Sequence, residues 1–180
     1  MTQPARLPPP PCEIDVVVES PLWSGVADIE SCVRRAVEAA LPPERAACEL
    51  AVVLTDDRTM RGLNARFRGI DKATNVLSFP TPGSSQPHPG ARGGEPVSLG
   101  DIVIAFETTR AEAAAEGKEF DHHFAHLLVH GVLHLLGYDH HSDAEAEAME
   151  ARERAILLQL GIPDPYAERD RVAADGTGCA

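Results

Sequence analysis

The segment HGVLHLLGYDH, residues 130–140, constrains the fold more than any other stretch, because its three histidines can meet only if the chain does two things in order. Residues four apart on a helix lie one turn apart on nearly the same face, so His130 and His134 can aim two imidazoles at one point. A continuing helix would carry His140 about 9 Å further along the axis and round to another face. The helix must therefore end between His134 and His140. Gly137 supplies the ending, since a glycine just past His134 can take the left-handed conformation that closes a helix and turns the chain back. The spacing predicts a helix over about 121–136, closed at Gly137, with His140 returned to the pair.

Three neutral imidazoles leave a fourth tetrahedral position free, the arrangement of catalytic rather than structural zinc. One Zn2+ per chain on His130, His134 and His140 is the expected cofactor. Each histidine alone reads as a hydrogen-bonded or surface residue, since Asp121, His122, His123 and His126 make the helix histidine-rich anyway. His126, one turn before His130, either holds a ligand or substrate in place or simply packs, and Asp139 is a second candidate for a supporting role. In H-E-x-x-H peptidases a glutamate directly after the first histidine takes the proton from metal-bound water. Here that position is Gly131, so a peptidase would need another carboxylate, such as Asp139 or Glu107, as base. Phosphoryl transfer depends mainly on charge stabilisation, and there a nearby arginine serves better than a carboxylate.

The rest of the chain alternates strand and helix patterns. EIDVVVES, CELAVVLT, NVLSFP and GDIVIAF read as strands. Val26–Ala40, the DDRTMRGLNARF segment closed by Gly69, Thr108–Gly117, Asp121–Leu136 and Ser142–Leu160 read as helices. Ser142 with Glu145 three residues on forms a capping box. The expected fold is α/β (α+β): a single domain, residues 12–166, with a roughly four-stranded mixed sheet packed by about five helices and the metal site at the end of the histidine-bearing helix. Residues 1–11 and 167–180 are expected to be disordered, and 80–96 to form a flexible Pro/Gly-rich loop in which His88 is solvated.

A net charge of −12 excludes a protein that coats nucleic acid by bulk attraction. The distribution is uneven, however. Arg58, Arg61, Arg66, Arg68 and Lys72 face one acid, Asp71, whereas Asp143, Glu145, Glu147, Glu150 and Glu153 load a later helix with negative charge. Four scattered cysteines with no C-x-x-C pair read as reduced, packed thiols. No run approaches the length of a membrane span, and no apolar leader follows the N-terminus, so a cytoplasmic protein without membrane contact is expected.

Together with LNARFRGIDKATNVLSFP and LGDIVIA, the histidine segment closely resembles the YbeY family of bacterial endoribonucleases, the rRNA maturation factors. The resemblance runs from about Leu50 to Tyr166 and includes AEAMEARERAILLQLGIPDPY; the N-terminal strand and helix fit only in pattern. It implies one zinc on His130, His134 and His140, and metal-dependent cleavage of single-stranded RNA in small-subunit rRNA 3′-end processing and ribosome quality control. The ribosome or a ribosomal protein is the implied partner. Arg68, the arginine after the aromatic of RFR, is the implied catalytic residue that binds phosphate; on charge pattern alone it is a solvated arginine at a helix end. The SSQPHPGARGGEP stretch is longer and richer in Pro and Gly than the corresponding loop of the family. Two alternatives remain at this stage: a metallopeptidase-like hydrolase with a non-standard base, and a non-catalytic ribosome assembly factor with a structural zinc.

Overall fold

The computed structural model describes residues 12–42, 47–83 and 96–167. Four strands form one mixed sheet: β1 (Glu13–Val18), β2 (Cys48–Thr55), β3 (Val76–Pro80) and β4 (Val97–Ala105). Their order is β1-β2-β4-β3; β1, β2 and β4 run parallel, and β3 lies antiparallel on the edge of β4. Five helices pack it: α1 (Ile29–Ala40), α2 (Asp57–Arg68), α3 (Phe106–Ala115), α4 (Phe120–Leu135) and α5 (Asp143–Gln159).

The two-residue period of the strands divides the core. Leu50, Val52 and Leu54 of β2 and Ile102 and Ile104 of β4 face the main core, shared with α1, α4 and α5. Val103 and Ala105 face the other way, against Met60 of α2 and Leu77 of β3. α4 crosses the middle of the main core and buries ten of its residues, eight of them in that core, among them Phe124, Leu128, Val132 and Leu135. A helix enclosed on so many sides is a rigid mount for the side chains at its C-terminal end.

Several boundaries differ from the sequence expectation. Residues Pro21–Gly25 wind into a 3-10 turn that places Trp23 in the core, its indole N–H donating to the Thr55 carbonyl at 2.9 Å. The first helix therefore starts at Ile29 rather than Val26, behind Asp28 in a left-handed conformation with φ 50°. β4 begins at Val97, and α3 follows it at once at Phe106 rather than at Thr108. The expected capping box is present: Glu145 N–H donates to Ser142 Oγ at 3.3 Å, and Ser142 N–H donates to the Glu145 carboxylate at 2.9 Å. Residues 1–11, 84–95 with His88, and 168–180 lie outside the described residues. Among the described residues no helix is long and apolar enough to cross a membrane.

Candidate metal centre

Helix α4 ends as the glycine spacing requires. Gly137 has φ 92°; its N–H donates to the His134 carbonyl at 3.0 Å, and Tyr138 N–H donates to the Leu133 carbonyl at 3.0 Å. These are the two bonds of a Schellman closure, which satisfies the last carbonyls and reverses the chain. His140 thereby returns to the helix end, with its ring centroid 5.1 Å from that of His134 and 5.9 Å from that of His130. The Asp139 carboxylate accepts the His140 backbone N–H at 2.8 Å and also meets His141 Nδ1 at 2.6 Å. The first of these bonds holds Asp139 below the ordinary aspartate range.

One nitrogen from each of His130, His134 and His140 lies within 4.8 Å of the others. The rings of His130 and His134 are oriented from behind. His130 Nδ1 lies 2.7 Å from Glu153 Oε1, and His134 Nδ1 lies 3.0 Å from the Tyr138 carbonyl oxygen. Both acceptors require the proton on Nδ1, which leaves each Nε2 with a bare lone pair. The two Nε2 atoms are 3.0 Å apart. Across that distance one proton or one metal ion can join the pair, and two nitrogens on one tetrahedral zinc stand about 3.3 Å apart. The residues present thus fit a divalent transition metal held by three imidazoles.

Glu153 is the residue that sequence reasoning missed. The sequence presents it as one more acid on the last helix, yet it is wholly buried. Its Oε1 meets His130, while its Oε2 accepts from His126 Nε2 at 3.1 Å and from the Tyr166 hydroxyl. Burial alone would raise its pKa. The hydrogen bonds from His126, His130 and Tyr166 outweigh burial and hold the carboxyl at about 2. His126 accordingly reaches His130 through Glu153. The available sequence signal was periodic, since Glu153 falls on the buried stripe Met149, Glu153, Ile156, Leu157 of α5, where a lone carboxylate needs a partner. His134 is pulled down to about 4 by burial and by the neighbouring His130 and His140.

Gly131 occupies the peptidase-glutamate position for a packing reason. A Cβ there would stand 2.9 Å from Ile102 Cγ2 and 3.1 Å from Cδ1, so α4 lies on β4 too closely for a side chain unless Ile102 is displaced. Glu107 cannot replace the missing base, because its carboxylate accepts Asp57 N–H at 2.9 Å at the start of α2, the end opposite Arg68. Arg68 is placed beside the cluster. With Ser78, Pro80, His134, Tyr138 and Asp139 it lines a cavity of about 250 Å³. Of the other basic residues, Arg61 is bound to Asp71 by paired bonds of 2.6 and 2.7 Å, and Arg66 lies 5.3 Å from the centre of the Phe67 ring.

Fold and cluster define a class of protein: a small α/β domain that presents three convergent imidazoles on, and just beyond, one buried helix. Comparison with known proteins narrows it. The family model described as Endoribonuclease YbeY matches residues 23–161. The chain is 56% identical over 170 residues to the Endoribonuclease YbeY of Rhodopseudomonas palustris (strain BisB18), covering 93% of this chain and 98% of that one. It is 53% identical over 163 residues to the Endoribonuclease YbeY of Bradyrhizobium sp. (strain BTAi1 / ATCC BAA-1182), covering 88% and 94% of the two chains. The chain belongs to the YbeY endoribonuclease family. A solution structure from Thermotoga maritima shares the fold, with a TM-score of 0.53 and 22% identity, over 84% of this chain and 97% of that one.

Proposed function

We propose that this protein is a zinc-dependent endoribonuclease that cuts single-stranded RNA, with His130, His134 and His140 as the metal ligands and Arg68 as the catalytic residue. The observation that carries the reading is the 3.0 Å convergence of two Nε2 lone pairs, each oriented by an acceptor on Nδ1, next to a cavity that Arg68 lines. Zinc bound by the three histidines supplies Lewis acidity at the scissile phosphate. Arg68 donates to the non-bridging phosphoryl oxygens, and its planar fork matches their geometry as charge builds in the transition state. Glu153 and the Tyr138 carbonyl keep His130 and His134 in the one tautomer that presents Nε2 inward. Asp139 fixes the backbone of His140.

His140 is exposed, and cavities open beside both His130 and His134, which favours a centre built for substrate over a closed structural site. The packing of Gly131 on Ile102 disfavours peptide hydrolysis by a glutamate base on α4. The RNA is the small-subunit rRNA precursor, at its 3′ end, and the ribosome or a ribosomal protein presents it to this acidic chain in the cytoplasm; the activity serves ribosome quality control as well. The test combines zinc content with cleavage of a labelled single-stranded RNA. His134→Ala should lose metal and cleavage together, and full zinc content with undiminished cleavage in that variant would overturn the assignment.

A further inference from the structure

The centre has cavities on two sides, and only one of them suits a phosphate. One is the side that Arg68 lines with His134. On the His130 side lies a larger cavity of about 630 Å³, walled in part by Asn75, Glu112, Lys118, His123, His126 and His130. Its other carboxylates are Glu116, paired with Lys118 at 2.5 Å, and Asp164, paired with Arg154 at 3.2 Å, so among the described residues Glu112 is the lining carboxylate that no lysine or arginine neutralises. A phosphate entering there would meet net negative charge, whereas an uncharged sugar and base would not. The volume is ample for one nucleoside.

The polar wall is fixed in advance. Asn75 Nδ2 donates to Glu112 Oε2 at 2.8 Å, and His123 Nε2 meets the same oxygen at 3.0 Å. Asn75 is itself locked, since its Oδ1 accepts Val76 N–H at 2.6 Å. His123 is only 5% exposed, and the Nδ1 atoms of His123 and His126 have no hydrogen-bond partner among the described residues. Buried polar atoms without partners are rare, and here two of them belong to residues lining one cavity beside the metal centre. Glu112 Oε1 likewise has no partner among the described residues, so the carboxylate is held by one oxygen and presents the other as an acceptor.

We propose that this cavity is a nucleoside subsite in which Glu112 Oε1 accepts a hydrogen bond from a ribose 2′-hydroxyl of a nucleotide flanking the cut, making Glu112 a group by which the site tells RNA from DNA. The proposal rests on the reading of the centre as an RNA-cleaving one. A hydroxyl donating to a carboxylate is a short, charge-assisted bond, and the 2′-hydroxyl is the group that DNA lacks.

The experiment scans single 2′-deoxy substitutions through an RNA strand around its cut site and measures kcat/KM with zinc-loaded protein. Positions whose deoxy form abolishes cleavage in every variant report the chemistry and are set aside. At one remaining position the deoxy substitution should cost the wild type about tenfold and Glu112→Ala, which leaves no side-chain group to meet the hydroxyl, less than twofold. Glu116→Gln, which removes the same charge from the same cavity, should keep the tenfold penalty. Because each penalty is a ratio measured on one preparation, a lower folded fraction cancels from it. A wild-type penalty at every position in Glu112→Ala overturns the proposal alone; absence of metal-dependent cleavage of the unmodified RNA by the wild type overturns the reading of the centre with it.

Discussion

Glu153→Gln changes one atom at the buried hub that links His130, His126 and Tyr166, and its consequences can be followed bond by bond. The glutamine carbonyl can still accept from His130 Nδ1, now 2.7 Å from Oε1, but the amide nitrogen replaces the oxygen that accepts from His126 and Tyr166. The Tyr166 hydroxyl can turn and accept. His126 can accept on Nε2 only by moving its proton to Nδ1, which is buried and has no partner among the described residues. An unsatisfied buried donor costs about 1–3 kcal/mol, and the remaining bonds lose their charge assistance, so the loss of stability should be about 2–4 kcal/mol. Metal affinity should fall about 10–100-fold, because His130 loses an ionised acceptor. The sign with pH is also fixed. A carboxyl held at about 2 when folded, against an ordinary value of 4.5, contributes stability above pH 4.5 that is lost as pH falls toward 2. That contribution is about 3 kcal/mol, and Glu153→Gln should remove this part of the acid limb. Urea unfolding of chelator-stripped protein across this range, with zinc titration against a competing chelator at neutral pH, reads both effects. A glutamine variant with wild-type stability and wild-type zinc affinity would show that Glu153 is not the hub that orients His130.

Arg68→Ala should lower RNA cleavage about 10²–10³-fold while zinc content and melting temperature stay at wild-type values, and Arg68→Lys should recover only part of the rate; single-turnover cleavage with parallel metal analysis checks this. Gly137→Val places a β-branched residue at φ 92°, so the purified variant should carry less than one zinc per chain, measured by elemental analysis. Gly131→Ala should destabilise by about 1–3 kcal/mol despite alanine's better helix propensity, because Ile102 is stiff at its branched carbon. Combining it with Ile102→Ala should give less than the sum of the two losses in urea unfolding, and strict additivity would contradict the contact.

The parts of this molecule that could be read from its sequence are those set by local rules. The His130–His134 spacing, the closure at Gly137 and the Ser142–Glu145 box each depend on a few adjacent residues, and each stands as expected. What escaped depends on contacts distant in the chain. Glu153 reads as one more acid on an acidic helix until α5 is laid against α4, which brings it within 2.7 Å of a residue 23 positions earlier. Gly131 reads as a missing base until Ile102 is seen beneath it. The start of α1 shifted because Trp23 reaches the Thr55 carbonyl, 32 residues away, and winds the preceding segment into a 3-10 turn. Of the five basic residues between Arg58 and Lys72 that the sequence leaves equivalent, the fold pairs Arg61 with Asp71 and sets Arg68 and His134 on the wall of one cavity.

In the proposed function, three imidazoles at the end of α4 hold the metal on which RNA cleavage depends. The most direct test strips the purified protein with a chelator, returns zinc in graded amounts, and follows cleavage of an end-labelled single-stranded RNA against bound metal. The stripped protein should not cleave, recovery should saturate at one zinc per chain, and His134→Ala should show neither binding nor recovery. Cleavage that survives complete removal of metal, or recovery that proceeds equally in His134→Ala, would contradict the proposed function.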